Sequence, residues 1–513
     1  MTRESSTFSR REVLQAFAEA AGTGARVREI EARADAFLAR QTVVELEPAA
    51  GECRYTTRHL LGVEQALLDD ATRRGADAVA MAGEDAVDAA LAARPTLAEE
   101  QRRLVLALTR GRGGVQVIRA AAGTGKTFAL DAAREAWQRA GVPVVGCALS
   151  ARAACELRDQ AGVDATTIAR LRYRLDTGTE LSPGSVLLVD EAGMVGTRDL
   201  AALARTTARA DAKLVLVGDD CQLPEIDAGG AFRALAQRLG AIELSEVHRQ
   251  REPWDREALA ALRGGEVDRF ARDYHEHGRI VAAPNADAAR DTLARDWWEA
   301  HERGEHALMI AHRRTDVVEL NARARERMRE AGRLRGDELH TADRSFAVGD
   351  RVITTRNDRR LDVVNGQTGA LAAIRDGRLR VELDTGRSVE LPERYARDGH
   401  LDHAYATTAH HAQGATVART FVLGSDELYR EWGYTALSRH RDQARFYVTA
   451  SPAFLNQAPE PLRVGDVPLR AARMLEGSRA EHLALPTEGP DRVLERIAAR
   501  RARTRGDGIG LGL

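Results

Sequence analysis

A loop that places a lysine and a threonine directly after a glycine is the strongest chemical signal in the sequence. The segment AAAGTGKT, residues 120–127, follows an apolar stretch and precedes the helix-forming segment FALDAAREAW. Such a loop presents backbone N–H groups to phosphate at the N-terminus of a helix. Lys126 would then reach the β- and γ-phosphates of ATP, and Thr127 would hold Mg²⁺. The rest of the phosphate cradle would be Ala122, Gly123, Thr124 and Gly125.

The loop departs from the usual pattern at its first position, where Ala120 replaces a glycine. The later glycines, the lysine and the threonine make up the part of the loop that binds the nucleotide. We therefore expect ATP binding to survive this substitution.

Two adjacent carboxylates, Asp190 and Glu191, follow a second apolar stretch in LLVDEAGM. An aspartate in that position can hold the water shell of Mg²⁺, and the neighbouring glutamate can orient the water that attacks the γ-phosphate. Downstream of a phosphate loop, the pair indicates ATP hydrolysis. A GTPase or a kinase is disfavoured, because no guanine-specificity motif is present and the glutamate suits hydrolysis.

Three further polar residues would complete a hydrolytic site. Gln222, in VGDDCQLPEIDAGG, offers a neutral amide that can sense the γ-phosphate without repelling it. Arg249, in LSEVHRQ, and Arg439, in YTALSRHR, can act as arginine fingers that stabilise charge on the transferred phosphoryl group. Fingers on a second domain would couple hydrolysis to closure of a cleft.

The elements that must position these residues form two alternating α/β blocks. Between about residues 96 and 245, apolar strands such as GVQVIRA and SVLLVDEA alternate with helical stretches, and the alternation resumes from 246 to 450. Strands that are apolar on both faces are typical of a parallel sheet covered by helices on both sides. The second block is interrupted at 346–400 by short strands with Asn-Gly and Asp-Gly turns, which predict a small antiparallel β-barrel insertion.

The two ends of the chain are assigned to smaller units. Residues 1–95 begin with two helical stretches and continue with TVVELEPAAGECRYTT as two strands, which predicts a helical, winged-helix-like region. Contact with DNA and simple packing are both open roles for that region. Residues 451–513 are charged and predict a helical C-terminal tail whose last residues, RGDGIGLGL, are disordered.

The composition excludes several classes of protein. The chain has no run of about 18 apolar residues that would span a membrane, and its N-terminus lacks the pattern of a signal peptide. The cysteines are scattered without a CxxC pair, which argues against a zinc site or a disulfide framework, so a cytoplasmic protein is expected. The net charge of −2 does not exclude nucleic acid, because a motor on DNA needs only one positive groove.

Lysine is nearly absent from the chain. Lys126 and Lys213 stand against 73 arginines, a bias that coding preference explains. A lysine retained in such a chain indicates a place where a compact ammonium is required rather than a guanidinium. Lys126 fits this interpretation, whereas Lys213 opens an apolar strand and is interpreted as incidental.

The order of the motifs resembles that of a known enzyme family. The chain carries, in sequence, LAEEQ, AAAGTGKT, VDEA, GDDCQL, VHRQ, TTAHHAQGAT and YTALSRHR. This series resembles the RecD-like branch of superfamily 1 helicases, class 1B, over roughly residues 96–450. The resemblance implies two RecA-like P-loop domains with ATP in the cleft between them. It also implies sequence-independent binding of single-stranded DNA and movement in the 5′→3′ direction.

The resemblance also implies roles for individual residues. Gln101, in LAEEQ, would contact adenine. Gln413, Gly414 and Thr416, in TTAHHAQGAT, would lie toward the nucleotide. The residues that would contact DNA are Ser150, Thr167, Thr408 and His410. The DNA motifs depart from the family pattern at two places, since Leu149-Ser150 replaces Pro-Thr and His411 replaces a lysine.

More narrowly, the chain resembles the helicase portion of conjugative relaxase-helicases of the TraI/TrwC (MobF) type, through RYTTRHLLGVEQALL and the FAVGDRV…NGQTG insertion. Proteins of that type carry a relaxase with a histidine cluster, which His275 and His277 do not match. The prediction is an ATP-dependent DNA helicase related to conjugative transfer, with a relaxase or another conjugation protein as candidate partner. The alternatives are a repair-type RecD-like helicase and an ATP-binding DNA regulator that does not unwind.

Overall fold

The computed structural model describes residues 1–22, 24–46, 52–449 and 464–485. Within these ranges, no helix combines the length and the apolar composition that crossing a membrane requires. The predicted disordered end of the chain lies outside the described residues.

The N-terminal region joins helices to a small antiparallel sheet. Its elements are β1 (Phe8–Ser9), α1 (Arg10–Ala20), α2 (Val27–Leu38), β2 (Val43–Glu45), β3 (Arg54–Thr57), α3 (Arg58–Arg73) and α4 (Glu84–Ala92). The strands pair antiparallel in the order β1-β3-β2. Helix α1 begins after Ser9 because the Ser9 hydroxyl accepts the N–H of Glu12, whose carboxylate accepts the N–H of Ser9.

The first α/β unit is a parallel sheet with helices on both faces. Its elements are α5 (Glu99–Arg110), β4 (Val115–Ala120), α6 (Lys126–Arg139), β5 (Val144–Ala148), α7 (Ala151–Ala161), β6 (Asp164–Thr167), α8 (Ile168–Asp176), β7 (Val186–Asp190), α9 (Thr197–Arg209), β8 (Lys213–Gly218), α10 (Ala231–Leu239) and β9 (Ile242–Leu244). The strand order is β6-β5-β7-β8-β4-β9, and every pairing is parallel. Every residue of β7 and β8 is buried, which confirms the predicted parallel sheet. Because parallel strands end at one edge, β4, β7 and β8 deliver their following loops to the same side.

Helices α3 and α4 pack into the core of this first unit. Leu67 of α3 shares an apolar cluster with residues of α9 and α10, and Val87 of α4 shares another with residues of α6. Arg74, directly after α3, donates to the carbonyl oxygen of Ala212 at the start of β8. The N-terminal region therefore stabilises the sheet that carries the phosphate loop.

The second α/β unit is split by an antiparallel insertion. It opens with α11 (Pro253–Gly264), α12 (Val267–Glu276), β10 (Ile280–Ala283), α13 (Ala286–Glu302), β11 (Ala307–Ile310) and α14 (Arg314–Glu330). The insertion contains β12 (Arg335–His340), β13 (Ser345–Val348), β14 (Arg351–Thr354), β15 (Thr368–Arg375), β16 (Arg378–Leu383), β17 (Ser388–Pro392), α15 (Glu393–Arg397) and β18 (Leu401–His403). Strands β14–β18 form one antiparallel sheet in the order β17-β16-β15-β14-β18, and β12 pairs with β13. The Asp376-Gly377 turn joins β15 to β16 with positive φ at both residues, as tight hairpins prefer.

The chain then completes the second parallel sheet. The returning elements are β19 (Ala406–Thr407), α16 (Ala409–Ala412), β20 (Val417–Leu423), α17 (Arg430–Leu437) and β21 (His440–Thr449). The sheet has the order β10-β21-β20-β11-β19 and is parallel throughout. The predicted α/β character of this second block is thereby confirmed.

A C-terminal segment joins the second α/β unit to helix α3. Helix α18 (Val467–Leu475) packs into the core of the second unit, and residues 476–485 continue without helix or strand. The first residues of that segment donate hydrogen bonds to Glu431 of α17. Its last two backbone N–H groups donate, at 3.0 and 3.1 Å, to the buried carboxylate of Glu64 in α3. The described part of the tail therefore ties the second unit to the N-terminal region.

Lys213 corrects one interpretation made from the sequence. Its side chain is fully buried at the start of β8, and its ammonium donates to the carbonyl oxygens of Leu108 and Gly111 at 2.9 and 3.2 Å. These carbonyls lie at the end of α5, where a helix leaves such groups without partners. Burial lowers the pKa of Lys213 to about 8. The residue is structural rather than incidental.

Replacing Lys213 by methionine tests this assignment. The folded chain releases the ammonium proton near pH 8, whereas the unfolded chain holds it up to the ordinary pKa of 10.5. The wild-type protein should therefore gain stability as the pH rises through that window, by at most about 3 kcal/mol, and the methionine variant should lack the gain. Unfolding midpoints measured across the window provide the comparison. Parallel pH profiles for the two proteins would contradict the assignment.

Candidate active site

The two α/β units face each other across one deep cavity of about 740 Å³. Its floor is formed by the loops that follow β4, β7 and β8, and its opposite wall by segments beside α11, α16 and α17. The cavity brings together, from the residues predicted by sequence, Gln101, Ala122, Gly123, Thr124, Gly125, Lys126, Thr127, Asp190, Glu191, Gln222, Arg249, Gly414, Thr416 and Arg439. Residues that are far apart in the chain thus share one solvent-accessible space.

The phosphate loop depends on two glycines with left-handed backbone, φ +87° at Gly123 and +73° at Gly125. A Cβ on Gly123 would lie 2.5 Å from the Cβ of Arg249, and one on Gly125 would lie 2.5 Å from the amide nitrogen of Gln101. That amide donates to the carbonyl oxygen of Thr124 at 2.9 Å. Gly125 caps α6, whose first N–H groups have no partner within the helix and can bind phosphate.

Ala120 lies outside the part of the loop that needs glycine. It is the last residue of β4, is 3% exposed and belongs to the apolar core of the first unit. Its φ is not among the positive values that favour glycine. The substitution therefore leaves the geometry of the phosphate cradle unchanged.

Lys126 occupies the first position of α6 and reaches the end of β7. Its ammonium lies 2.8 Å from Asp190 Oδ1 and 2.7 Å from Glu191 Oε1. Burial alone would lower the pKa of Lys126, but the two carboxylates outweigh it and raise the pKa above its ordinary value. Glu191 has a left-handed backbone with φ +52°, a strained conformation that is concentrated at functional sites.

Two arginines reach the same cavity, and within the part of the chain that the structure describes neither has a carboxylate as hydrogen-bond partner. Arg249 donates to the carbonyl oxygen of Ser438 at 2.9 Å, and Arg439 donates to that of Thr435 at 2.8 Å. Burial and the nearby charge of Arg439 lower the pKa of Arg249 to about 9, and burial also lowers the pKa of Arg439. Two like charges held beside a phosphate loop form a site that an anionic ligand would stabilise.

Gln250, which the sequence analysis missed, holds the backbone on both sides of Arg439. It is 1% exposed, and its amide donates to the carbonyl oxygens of Ser438 and His440 at 3.1 and 2.9 Å. The ring of His440 in turn lies 2.7 Å from the buried carboxylate of Asp255 in α11. The only available signal for Gln250 was its place beside Arg249 in VHRQ.

A salt bridge from the second unit positions the loop that carries Gln222. Gln222 follows β8, and its amide oxygen lies 3.5 Å from the guanidinium of Arg439. The neighbouring Asp219 accepts the Gln222 amide at 3.2 Å and pairs with Arg263 of α11 at 3.0 Å. Burial alone would lower the pKa of Arg263, but the buried Asp219 raises it. Neither partner of this salt bridge was predicted from the sequence.

Two further hydrogen bonds connect the second unit to the phosphate loop and to the carboxylate pair of the first. The Tyr434 hydroxyl of α17 accepts the backbone N–H of Ala122 at 3.2 Å. The Gln413 amide donates to Glu191 Oε2 at 3.3 Å. The sequence analysis placed Gln413 near the nucleotide but missed Tyr434, although Tyr434 lies in YTALSRHR. The second unit thus contacts both the phosphate loop and the carboxylate pair.

Arg152, on α7, joins the first unit to the second unit and to the insertion. Its guanidinium donates to the carbonyl oxygens of His411 and Gly366 at 2.8 and 3.3 Å and pairs with Glu156 at 2.9 Å. Glu156 lines the large cavity, and a Cβ on Gly414 would lie 2.4 Å from its carboxylate. Glycine at 414 therefore permits this close approach across the cleft. The sequence analysis did not assign a role to Arg152 or Glu156.

Three of the four predicted DNA contacts cap helices. The hydroxyls of Ser150, Thr167 and Thr408 accept backbone N–H groups at the starts of α7, α8 and α16. Ser150 and His410 line a second cavity of about 280 Å³ that also reaches Asp190 and Glu191. Thr167 and Thr408 lie outside the lining of that cavity. Helix N-termini of this kind are suited to phosphate groups of a nucleic acid.

The residues of the large cavity fit a nucleoside triphosphate with a divalent cation. The N-terminus of α6 and Lys126 suit the phosphates, and so do Arg249 and Arg439, which have no carboxylate partner among the described residues. The Thr127 hydroxyl and the Asp190 carboxylate are oxygen ligands of the kind Mg²⁺ prefers.

A second group of potential metal ligands is already neutralised. Among the described residues, Asp219, Asp220 and Cys221 are the group that could hold an ion. The two aspartates pair with Arg263 and Arg119, so their charge is compensated. The His275/His277 segment ends α12 and contributes to no such group in the described chain.

The first parallel sheet ends in a phosphate loop and a carboxylate pair, and arginines beside the second parallel sheet face these groups. This arrangement defines a P-loop ATPase. The family model described as an AAA domain matches residues 96–285. The RecBCD enzyme subunit RecD of Mycobacterium tuberculosis is 31% identical over 410 residues, which cover 68% of this chain and 69% of RecD. The chain belongs to the RecD-like family of superfamily 1B DNA helicases, as the motifs predicted.

Relatives from conjugation are more similar in sequence but longer. The conjugal transfer protein TraA of Rhizobium radiobacter is 36% identical over 77% of this chain, and the match covers 36% of TraA. The chain thus spans well under half the length of that relative. Among solved structures, the Pif1 helicase of Candida albicans aligns with 72% of the chain at 19% identity, with a TM-score of 0.47 that is too low to assign the fold.

The Arg263–Asp219 salt bridge supports a prediction about stability. Replacing Arg263 by alanine leaves a buried carboxylate unpaired, so the free energy of unfolding should fall by about 3 kcal/mol. Replacing Asp219 by asparagine as well should restore part of that loss. A double-mutant cycle on urea unfolding should therefore give a coupling of about 1–3 kcal/mol. Strictly additive effects would show that the two residues do not form a pair.

Proposed function

We propose that the chain is an ATP-driven motor that moves along single-stranded DNA and unwinds duplexes. The observation that supports this most directly is the cavity where Lys126 and the Asp190–Glu191 pair face Arg249 and Arg439. A hydrolytic site divided between two sheets changes its electrostatic balance when the γ-phosphate leaves. That change can open the cleft and displace a strand held by both units.

The residues of the cavity have distinct proposed roles in hydrolysis. Mg²⁺, held by Thr127 and Asp190, would neutralise charge on the β- and γ-phosphates. Lys126 exchanges its carboxylate partners for phosphate oxygens when ATP binds. Glu191, released from the lysine, orients the attacking water, and Gln222 senses the γ-phosphate. The two arginines stabilise the charge that develops on the transferred phosphoryl group.

Gln413 connects the ATP cavity to the segment that is proposed to bind the DNA strand. It contacts Glu191 on one side and belongs to the segment that includes Thr408 and His410. His410 and Ser150 share the second cavity, whose wall also includes Glu191. The effect of losing the γ-phosphate would therefore be transmitted from Glu191 to the proposed DNA-binding residues through the Gln413 side chain.

The grip on DNA is proposed to come from Ser150, Thr167, Thr408 and His410. Capped helix N-termini bind phosphates rather than base edges, so binding would be independent of sequence and sensitive to salt. This mode suits a motor that must pass over every nucleotide of a strand.

The smaller units receive structural proposals. We infer a small β-barrel for β14–β18, because its strands enclose a core that includes Leu371, Leu379 and Val381. Residues 365 and 366 of this insertion line the second cavity, which supports contact with the strand.

We infer a winged-helix-like unit at the N-terminus, where α1 and α2 pack on a three-stranded sheet. The packing of α3 and α4 into the first unit favours a structural role there.

We propose that this motor serves conjugative DNA transfer in the cytoplasm, moving 5′→3′ together with a relaxase. The 36% identity to TraA supports this role over DNA repair, which the 31% identity to RecD supports less strongly.

Lys126→Ala tests the motor. Loss of the ammonium removes the phosphate ligand, so ATP hydrolysis in the presence of single-stranded DNA should fall at least about 100-fold. Unwinding of a duplex with a 5′ tail should be lost with it. Arg205→Ala, on the exposed side of α9, is the matched control and should retain both activities.

Assays of ATP hydrolysis and unwinding by the wild-type protein distinguish the motor from the alternative functions. Hydrolysis that DNA does not stimulate, together with no unwinding from either a 5′ or a 3′ tail, would contradict the motor. Unwinding from 3′ tails alone would contradict only the direction.

A further inference from the structure

Helix α8 presents a basic face with an exposed aromatic ring at the edge of the DNA-binding surface. The helix begins at Thr167, one of the proposed DNA contacts, whose hydroxyl accepts the N–H of Arg170. Ile168 and Leu171 are buried against the first unit, which fixes the orientation of the helix. Arg170, Tyr173 and Arg174 consequently point to solvent, and Tyr173 is 69% exposed. Their spacing of three and four residues places them on one face.

The two arginines of this face differ from several arginines in and next to the first unit. Arg94, Arg119 and Arg134 each form ion pairs with aspartate or glutamate. Within the described residues, the Arg170 and Arg174 side chains have neither an ion pair nor a hydrogen bond. Their charges are therefore available to an external anion. An exposed tyrosine between them offers a flat apolar surface on which an unstacked base can lie.

A third cavity lies beside α8 and is lined by charged residues of both signs. It has a volume of about 500 Å³, and Arg3, Arg172 and Arg198 contribute to its lining. Arg172 also belongs to α8, where it pairs with Asp199. The cavity includes Asp227, which directly follows Ile226, a 67% exposed residue that lines the cavity of Ser150 and His410. Consecutive residues of the loop between β8 and α10 thus line the two cavities.

We propose that single-stranded DNA leaving the motor track continues across the face formed by Arg170, Tyr173 and Arg174. The arginines bind consecutive phosphates, and the tyrosine stacks on a base. The occupant is a single strand because paired bases would not expose a face to the ring. This inference rests on the proposed function, since it extends the same strand, but its residues lie outside the ATP cavity and its lining.

The surface makes affinity depend on the length of the strand. Oligothymidines long enough to reach α8 should bind more tightly than short ones that fill only the track. In the variant Arg170→Gln/Arg174→Gln, the slope of log K against log salt concentration for long oligomers should shrink by about 1.4, because two phosphate contacts are lost. Tyr173→Ala should weaken binding of long oligomers about tenfold. Binding of short oligomers, and the ATP hydrolysis that they stimulate, should not change in either variant.

A control variant separates specific contacts from loss of charge. Arg205 and Arg209 lie four residues apart on the exposed side of α9, away from the predicted DNA contacts, so Arg205→Gln/Arg209→Gln removes the same charge elsewhere. Fluorescence anisotropy at several salt concentrations measures all variants. Equal behaviour of the α8 and α9 variants at every length would overturn the inference, and so would an equal loss for short and long oligomers. Failure of the wild-type protein to bind any oligomer would instead overturn the proposed function.

Discussion

The cleft confines two arginines beside a lysine that already holds two carboxylates, and this arrangement of charge constrains the rest of the structure. Lys126 pairs with Asp190 and Glu191 within the first unit, and among the described residues neither Arg249 nor Arg439 has a carboxylate as hydrogen-bond partner. Burying such charges is costly, as the lowered pKa values of both arginines indicate. The folded core must therefore offset this cost until an anion arrives, and in the function proposed above nucleotide phosphates would supply that negative charge.

The contacts that close the cleft are few and individually weak. Tyr434 accepts one N–H from the phosphate loop, and Gln413 donates one hydrogen bond to Glu191. A typical hydrogen bond contributes only about 1 kcal/mol net to stability, so such contacts can break and re-form at little cost. Between the parts of the two units that the structure describes, the Arg263–Asp219 pair, which anchors the loop of Gln222, is the buried charge pair among these contacts. The proposed motor, whose cleft would open once per hydrolytic cycle, would need this balance of weak contacts and one strong salt bridge.

The sequence predicted the parts of the site that are encoded locally. The phosphate loop and the carboxylate pair each follow a buried strand directly, so residue type and position were sufficient to place them. The missed residues depend on contacts between distant segments: Arg263 lies in a helix of the second unit, and nothing near it signals its partner Asp219. Short strands were also missed for a physical reason. Strand β6 at the sheet edge is polar and partly exposed, so it lacks the apolar run that marked the central strands.

The scarcity of lysine acquires a physical meaning from the structure. Both lysines are held between two oxygen acceptors, Lys126 by carboxylates and Lys213 by main-chain carbonyls, with distances between 2.7 and 3.2 Å. A planar guanidinium carries its donors in a fixed fork and needs more room, whereas an ammonium can turn three donors toward partners in a narrow space. Coding bias could replace lysine by arginine on the surface but not at these two positions. The interpretation that a retained lysine indicates a required ammonium thus applied to Lys213 as well as to Lys126. The apolar strand around Lys213 indicated that this ammonium is buried, not that it has no role.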